Sequence, residues 1–176
     1  MRHGSGTYVR NGQERIVVVN PNRGELEPDR VLDLLEARLL IEPYLASLTA
    51  RDADQETIAK LEGILREAER RINQDNILSH QENAKFHCAI AHFSRNLILA
   101  QTIESLMELY SFEQLAIISF YEDRSTDHEE HLGILEAVRG RDAARAEELM
   151  RQHILSVTSL IEDRFATTGE RDRRLR

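Results

Sequence analysis

The sequence lacks the features that mark secreted, membrane-spanning and nucleic-acid-binding proteins. Cys88 is the only cysteine, so no disulfide can form within the chain, and a reducing cytoplasm fits best. No apolar run is long enough to cross a bilayer, and the N-terminus has no secretory signal pattern. The formal net charge of −8 argues against binding of nucleic acid through the overall electrostatic field. These absences predict a cytoplasmic protein with no membrane partner.

The motifs of several common enzyme classes are missing as well. The sequence has no glycine-rich phosphate loop, no nucleophile elbow and no His-Glu-x-x-His pair. Cys88 directly follows His87, and neighbouring side chains on a helix diverge by about 100°. That spacing disfavours a cysteine–histidine nucleophile. A metal with an open coordination position could still activate water, so a small metal-dependent enzyme is kept as an alternative.

What the sequence does contain is a long helical pattern, which divides the chain into four parts. Residues 1–19 hold two short extended runs, and residues 20–27 have the composition of a linker. Over residues 28–166 apolar side chains recur at helical spacing. The fold class predicted there is an all-α, antiparallel bundle of six or seven helices, preceded by a short β-hairpin. Residues 167–176 lack apolar anchors and are predicted to form a flexible tail.

Several residues predict where individual helices begin and end. Asp52, Asn96 and Asp142 are suited to cap the starts of three helices. Thr126-Asp127-His128-Glu129 has the sequence of a capping box, which would open another helix. Gly140 is predicted to end that helix in a left-handed conformation.

Two stretches carry predictions about the interior of helices. Pro43 falls late in the first helix and is predicted to bend or shorten it. The stretch from Leu97 to Tyr121 is the longest uninterrupted helical pattern and the least charged. Such a pattern is typical of a helix that is central or that lies at a subunit interface.

Three of the seven histidines lie within helical patterns close to an apolar stripe. They are His87, His131 and His153, and Asn83 lies four residues before His87, on the same predicted face. A lone histidine on a helix is more often a core or surface residue than a ligand, yet burying three imidazoles without a shared task is costly. One amide oxygen and three imidazoles from three helices could surround a divalent metal. Zinc, nickel or another borderline ion suits such ligands.

Arg38 and Glu42 lie four residues apart, partly inside the apolar stripe of the first helix. One interpretation is a salt bridge along one side of the helix. The other is that Arg38 faces a cavity and receives a carboxylate ligand through its guanidinium group. Glu129 and Glu130, beside His131, are most simply acids favoured by a helix N-terminus.

Four separated segments of the sequence have an order and spacing that resemble a known family. They are Glu36–Pro43 with its Arg-x-x-x-Glu pair, Phe86-His87 followed by Ser94-Arg95-Asn96, His131–Val138 with Gly140-Arg141-Asp142, and Met150–His153. Together they are similar to the effector-binding C-terminal (FCD) domain of FadR-type regulators in the GntR superfamily. The resemblance covers roughly residues 28–166.

This resemblance implies a metal site and an effector. Many such domains hold a divalent metal on one aspartate and three histidines, and a small organic acid completes the coordination. The three imidazoles correspond to His87, His131 and His153. The aspartate position is occupied by Asn83, a weaker neutral ligand that could coordinate, bind a metal-bound water, or mark a site that has lost its metal. By the same resemblance, Arg38 and Asn83 are the expected effector contacts.

The resemblance also bears on the N-terminus and on function. Arg2–Val9 is similar to the wing hairpin of a GntR winged helix-turn-helix, and no recognition helix precedes it. The chain is therefore expected to bind DNA only through a winged-helix domain that is mostly missing. The leading prediction is a homodimeric, effector-sensing domain of a transcriptional regulator that is not an enzyme. The alternatives are a metal-dependent enzyme acting on a small carboxylate and a purely structural dimerisation module.

Overall fold

A computed structural model describes residues 28–72, 76–117 and 124–174, and these residues form six helices. The helices are α1 (Pro28–Asp52), α2 (Gln55–Ile72), α3 (Asn76–Phe93), α4 (Leu97–Ile117), α5 (Arg124–Arg139) and α6 (Ala143–Arg174). The described ranges contain no strand, so the predicted all-α bundle is confirmed. The predicted β-hairpin at 1–19 and the linker at 20–27 lie outside the described residues.

Two of the predicted helix caps are present. The side chain of Asn96 accepts a hydrogen bond from the backbone N–H of Leu99, at 3.2 Å, at the start of α4. Asp142 does the same for Arg145, at 2.9 Å, at the start of α6. Each cap pairs one of the N–H groups that the first turn of a helix leaves without a partner.

The cap predicted for α2 was wrong, since Asp54 and not Asp52 occupies that position. Asp54 Oδ1 accepts a hydrogen bond from the N–H of Thr57 at 2.7 Å, and its carbonyl accepts from Ile58. Asp52 is still part of α1, because a turn of only two residues separates the two helices. The acceptor therefore has to come from the residue directly before α2.

The left-handed residue at the end of α5 is Arg141, with φ 55°, and not the predicted Gly140. Gly140 keeps a helical hydrogen bond to the carbonyl of Glu136 at 2.9 Å. The reversal falls one residue later, where the N–H of Asp142 reaches back to the carbonyl of Ala137 at 2.9 Å. This pattern is a Schellman ending, which pairs carbonyls at the end of α5 while Asp142 caps α6.

Two further observations concern where helices begin and end. α5 begins at Arg124, so the predicted capping box at 126–129 lies inside the helix. Asp127 uses its carboxylate to accept a hydrogen bond from the side chain of Asn83. α6 continues through the segment predicted as a flexible tail as far as Arg174, and the hydroxyl of Thr167 donates a hydrogen bond to the carbonyl of Asp163.

Pro43 does not shorten α1, which continues to Asp52. A proline inside a helix removes one hydrogen bond, here the one to the carbonyl of Leu39. The second half of α1 is held by other contacts: Leu45 and Ala46 are fully buried, and Thr49 donates to the carbonyl of Ile90 in α3 at 2.7 Å.

Two groups of buried side chains form the core, and α1 contributes to both. The larger group joins α1, α2, α3, α5 and α6, and the smaller joins α1, α3 and α4. The fully buried large side chains are Leu35, Leu45, Leu61, Leu65, Phe86, Ile90, Ile103, Ile134, Met150, Ile154 and Ile161. α4 packs one face into the smaller group while Leu97 and Ile98, at its start, are each 62% exposed.

Replacing Arg141 by glycine is expected to stabilise the protein by about 1 kcal/mol, because a left-handed conformation is costly for any residue with a Cβ. Urea unfolding followed by circular dichroism measures this change. The matched control is Arg145→Gly in the first turn of α6, which should destabilise by a similar amount. Equal destabilisation by Arg141→Gly and Arg145→Gly would show that the left-handed conformation of Arg141 has no energetic cost that glycine relieves.

Candidate metal centre

Three helices of the bundle bring His87, His131 and His153 together. Each side chain lies on the inner face of its helix, and each residue is between 1% and 4% exposed. The ring centroids are 5.0 Å apart for His87–His131, 5.1 Å for His87–His153 and 4.4 Å for His131–His153. One nitrogen from each ring can be chosen so that all three lie within 4.8 Å of one another. The three histidines singled out in the sequence therefore form one cluster.

The Nε2 atoms of His87 and His131 face each other at 3.1 Å. Two nitrogens that bind one metal at about 2.0–2.1 Å lie roughly 3–3.5 Å apart when the angle between them is close to tetrahedral. The observed separation fits a pair of ligands that share an ion.

Two of the imidazoles have a carboxylate at their Nδ1 atom. Glu42 Oε2 lies 2.5 Å from Nδ1 of His87, and Glu130 Oε2 lies 2.7 Å from Nδ1 of His153. A carboxylate in this position keeps the proton on Nδ1 and leaves the Nε2 lone pair for a metal. Sequence reasoning missed this role for Glu130, and no spacing rule could have found it, because Glu130 and His153 lie on different helices.

Arg38 and Glu42 form the predicted ion pair, and both are buried inside the bundle. Arg38 Nε donates to Glu42 Oε1 at 2.6 Å, and Arg38 Nη2 lies 3.4 Å from Nε2 of His87. Burial alone would raise the pKa of Glu42, but the nearby Arg38 and His87 outweigh it and lower the pKa to about 2. The salt bridge and the inward-facing arginine, considered above as alternatives, therefore occur together.

Asn83 is half-buried, and its side-chain amide donates to the carboxylate of Asp127. The two oxygens of Asp127 lie 3.9 Å from Nδ1 of His131 and 3.8 Å from Nδ1 of His153. Sequence reasoning missed Asp127, although one signal was present. Asp127 precedes His131 by four residues, the same spacing by which Asn83 precedes His87.

Two of the imidazoles are held in the neutral form that a metal requires. Burial lowers the pKa of His87 below its usual range, although Glu42 acts against this. Burial also lowers the pKa of His131, to well below its usual range, and the neighbouring His153 and His87 add to the effect. Neutral imidazoles keep a lone pair for coordination.

The charges around the cluster are suited to a divalent cation. The charged groups that contact the three histidines are the guanidinium of Arg38 and the carboxylates of Glu42, Asp127 and Glu130, so the formal charges leave an excess of two negative charges. Buried charge of one sign is costly unless it is balanced. Three imidazoles among groups with this excess of negative charge can hold an ion of charge two.

Cys88 lies beside the cluster in sequence but takes no part in it. Burial raises the pKa of its thiol to about 12, and Glu42 and Glu104 add to the effect. The thiol is therefore protonated near neutral pH, which agrees with the prediction that it is not a nucleophile.

Comparison with known proteins gives the family. The FCD domain family matches residues 33–156. This chain belongs to the FCD domain family. The HTH-type transcriptional repressor GlaR of Escherichia coli (strain K12) is 31% identical to this chain over 174 residues, covering 87% of this chain and 76% of GlaR.

Two further similarities agree with the match to GlaR. The regulatory protein named for the L-lactate dehydrogenase operon of Escherichia coli (strain K12) is 27% identical over 167 residues, covering 87% of this chain and 62% of its own length. The solved structure of Streptococcus agalactiae GntR has a TM-score of 0.65 at 25% identity and covers 76% of this chain and 60% of that one. This chain thus spans between three fifths and about three quarters of the length of these proteins.

The family resemblance predicted from four sequence segments is confirmed. The chain is a GntR-type FCD domain protein, and the comparisons support an effector-binding regulatory domain. The relatives are named as regulators, which agrees with the prediction that this chain is not an enzyme and gives no support to the metal-dependent enzyme. No helix within the described ranges is long and apolar enough to cross a membrane.

Replacing Glu42 by glutamine is expected to destabilise the domain by about 3 kcal/mol, because it leaves the buried guanidinium of Arg38 without its counter-charge. The control is Glu62→Gln, which removes one partner of the partly exposed ion pair with Arg139 and should cost less than about 1 kcal/mol. Urea unfolding of both variants at pH 7 gives the comparison. If both variants lost a similar amount of unfolding free energy, burial of the Arg38–Glu42 pair would not increase its contribution to stability.

Proposed function

We propose that this FCD domain senses a small organic acid and that a divalent metal, zinc or nickel, forms part of the effector site. His87, His131 and His153 are the proposed metal ligands. The observation that carries the proposal is the burial of these three imidazoles in one cluster, with carboxylates at two Nδ1 atoms and the Nε2 atoms of His87 and His131 in contact. When bound, the metal would act as a Lewis acid that attracts the carboxylate of the effector.

Asn83 belongs to the wall of the proposed site. Its amide nitrogen donates to Asp127, which leaves its carbonyl oxygen as the atom that could face a metal or a metal-bound water. A neutral oxygen attracts a cation less strongly than the aspartate oxygen that the family resemblance implies at this position. The metal ligands proposed here are therefore the three histidines, and the carbonyl oxygen of Asn83 is proposed to contact a metal-bound water and not the ion.

Arg38 is the proposed anchor for the effector. Its Nη2 lies 3.4 Å from Nε2 of His87, and Glu42 fixes the guanidinium through Nε. A carboxylate that reached the metal would lie beside this guanidinium and accept charge-assisted hydrogen bonds from it. The name of the relative from the L-lactate dehydrogenase operon supports a small organic acid as the ligand class.

Regulation would follow from unequal affinity of the effector for two geometries of the bundle. α1 carries Arg38 and Glu42 and packs in both core groups, so a ligand that moves these side chains acts on the first helix of the described residues. A difference of a few kcal/mol in binding is enough to shift such an equilibrium. DNA contacts would come from a winged-helix domain, which the described residues do not include.

A homodimer in the cytoplasm is the proposed assembly. A two-fold protein matches a palindromic operator, and the exposed Leu97 and Ile98 at the start of α4 support that helix as a contact surface. This surface is the helix that the sequence singled out for its low charge.

Elemental analysis of purified protein tests the metal. About one zinc or nickel ion per chain is expected in the wild type and none in His131→Ala, which removes one of three ligands. His92→Ala, at an exposed position on α3, is the control and should keep the wild-type metal content. Absence of metal from the wild type after dialysis against zinc and nickel would refute the metal part of the proposal.

Replacing Arg38 by alanine tests the effector anchor. Titration calorimetry with L-lactate and citrate on metal-loaded protein should show at least about a tenfold loss of carboxylate affinity, since a charge-assisted hydrogen bond is removed. Arg51→Ala, at the exposed end of α1, is the control for general charge. Melting curves establish that Arg38→Ala is folded at the temperature used. Unchanged affinity in a folded variant would remove Arg38 from the site.

A further inference from the structure

We infer that Asp127 is the carboxylate partner of His131 in this centre and that Asn83 is the residue that positions Asp127. The inference rests on the proposed metal function and assigns two residues that act on a ligand without contacting the ion. It gives each imidazole its own carboxylate: Glu42 for His87, Glu130 for His153, and Asp127 for His131.

The first observation is the unmatched nitrogen of His131. Its Nδ1 is completely buried and has no hydrogen-bond partner, whereas Nδ1 of His87 and Nδ1 of His153 each have a glutamate within 2.7 Å. A buried polar nitrogen without a partner is rare and calls for an explanation. If Nε2 of His131 binds an ion, Nδ1 carries the proton and requires an acceptor.

Asp127 is the acceptor available to that proton. Within the described ranges it is the only carboxylate within 4.0 Å of Nδ1 of His131, at 3.9 Å. It lies one turn before His131 on α5, and its side chain is 10% exposed. Side chains four residues apart on a helix share a face, so the carboxylate of Asp127 lies on the side of α5 that carries His131.

Asn83 explains why that carboxylate stays where it is. Its amide nitrogen donates to Asp127 across the gap between α3 and α5. An aspartate at position 83, the residue that the family resemblance implies, would present a second carboxylate to Asp127. Two carboxylates at hydrogen-bond distance repel unless they share a proton. The amide of Asn83 and the carboxylate of Asp127 are therefore complementary. The negative charge that the family resemblance implies on α3 lies on α5 in this chain.

Zinc affinity of four proteins, measured by competition with a chromophoric chelator, tests both roles. They are the wild type, Asp127→Asn, Asn83→Ala and the double variant. Loss of a carboxylate behind a histidine ligand typically weakens metal binding about 10–100-fold, so this loss is expected for Asp127→Asn. Asn83→Ala should weaken zinc binding in the wild-type background and cause no further loss in the Asp127→Asn background, because it acts through Asp127.

Two controls separate these roles from general effects. Glu129→Gln removes the same charge from an exposed position on the same turn of α5 and should change zinc affinity less than about threefold. Melting curves of the metal-free variants show whether the bundle is intact, and His131→Ala sets the level of a lost ligand.

Three results would overturn the inference while leaving the metal centre in place. Unchanged zinc affinity in Asp127→Asn removes Asp127 from the centre. A loss as complete as that of His131→Ala makes Asp127 a ligand in its own right. Equal losses from Asn83→Ala in both backgrounds make Asn83 an independent ligand. Failure of the wild type to bind zinc or nickel refutes the proposed metal function, and this inference with it.

Discussion

Burial of charge is the constraint on which this bundle depends. Arg38 and Glu42 lie on successive turns of α1, both are almost inaccessible to water, and Glu42 extends the contact to His87 in α3. Each of these groups would be costly to bury by itself, and together they satisfy most of one another's hydrogen-bonding needs. The linked hydrogen bonds from Arg38 to Glu42 and from Glu42 to His87 permit only a narrow range of positions for α1 against α3.

The same chain of contacts connects the candidate centre to the rest of the fold. α1 and α3 both contribute to the two core groups, so the positions of Arg38 and Glu42 on α1 are coupled to packing on both sides. The acids on α5 act in a comparable way, because Glu130 reaches His153 in α6 and Asp127 accepts from Asn83 in α3. Polar contacts around the three-histidine cluster therefore join α3 to α1, α3 to α5, and α5 to α6.

The fold and the three histidines were predictable because both depend on patterns that are local in sequence. Helical spacing identified the bundle, and the position of His87, His131 and His153 on apolar stripes identified the cluster. The partners of these histidines were not predictable in the same way. Glu130 and Asp127 contact residues on other helices, so their roles depend on rotation and depth of packing that spacing does not encode.

The errors at helix ends have a similar origin. Asp52 and Asp54 are both acceptable caps, and only the length of the turn decides between them. The left-handed residue after α5 is Arg141 and not Gly140, and Asp142, which follows it, caps α6. The sequence near a helix end indicates several residues that could cap or end the helix, and the length of the connection to the next helix decides which of them does so.

Pro43 gives α1 an uneven stiffness. A helix bends most readily where its ladder of backbone hydrogen bonds is interrupted, and here the missing bond would have spanned Leu39 to Pro43, beside Glu42. The part of α1 after this point is anchored to α3 by Thr49. The point at which α1 bends most readily therefore lies beside Arg38 and Glu42, the residues of α1 that contact the candidate metal centre. A small displacement of Arg38 or Glu42 would therefore change the direction of the first turns of α1 more than it would disturb the packing of the core.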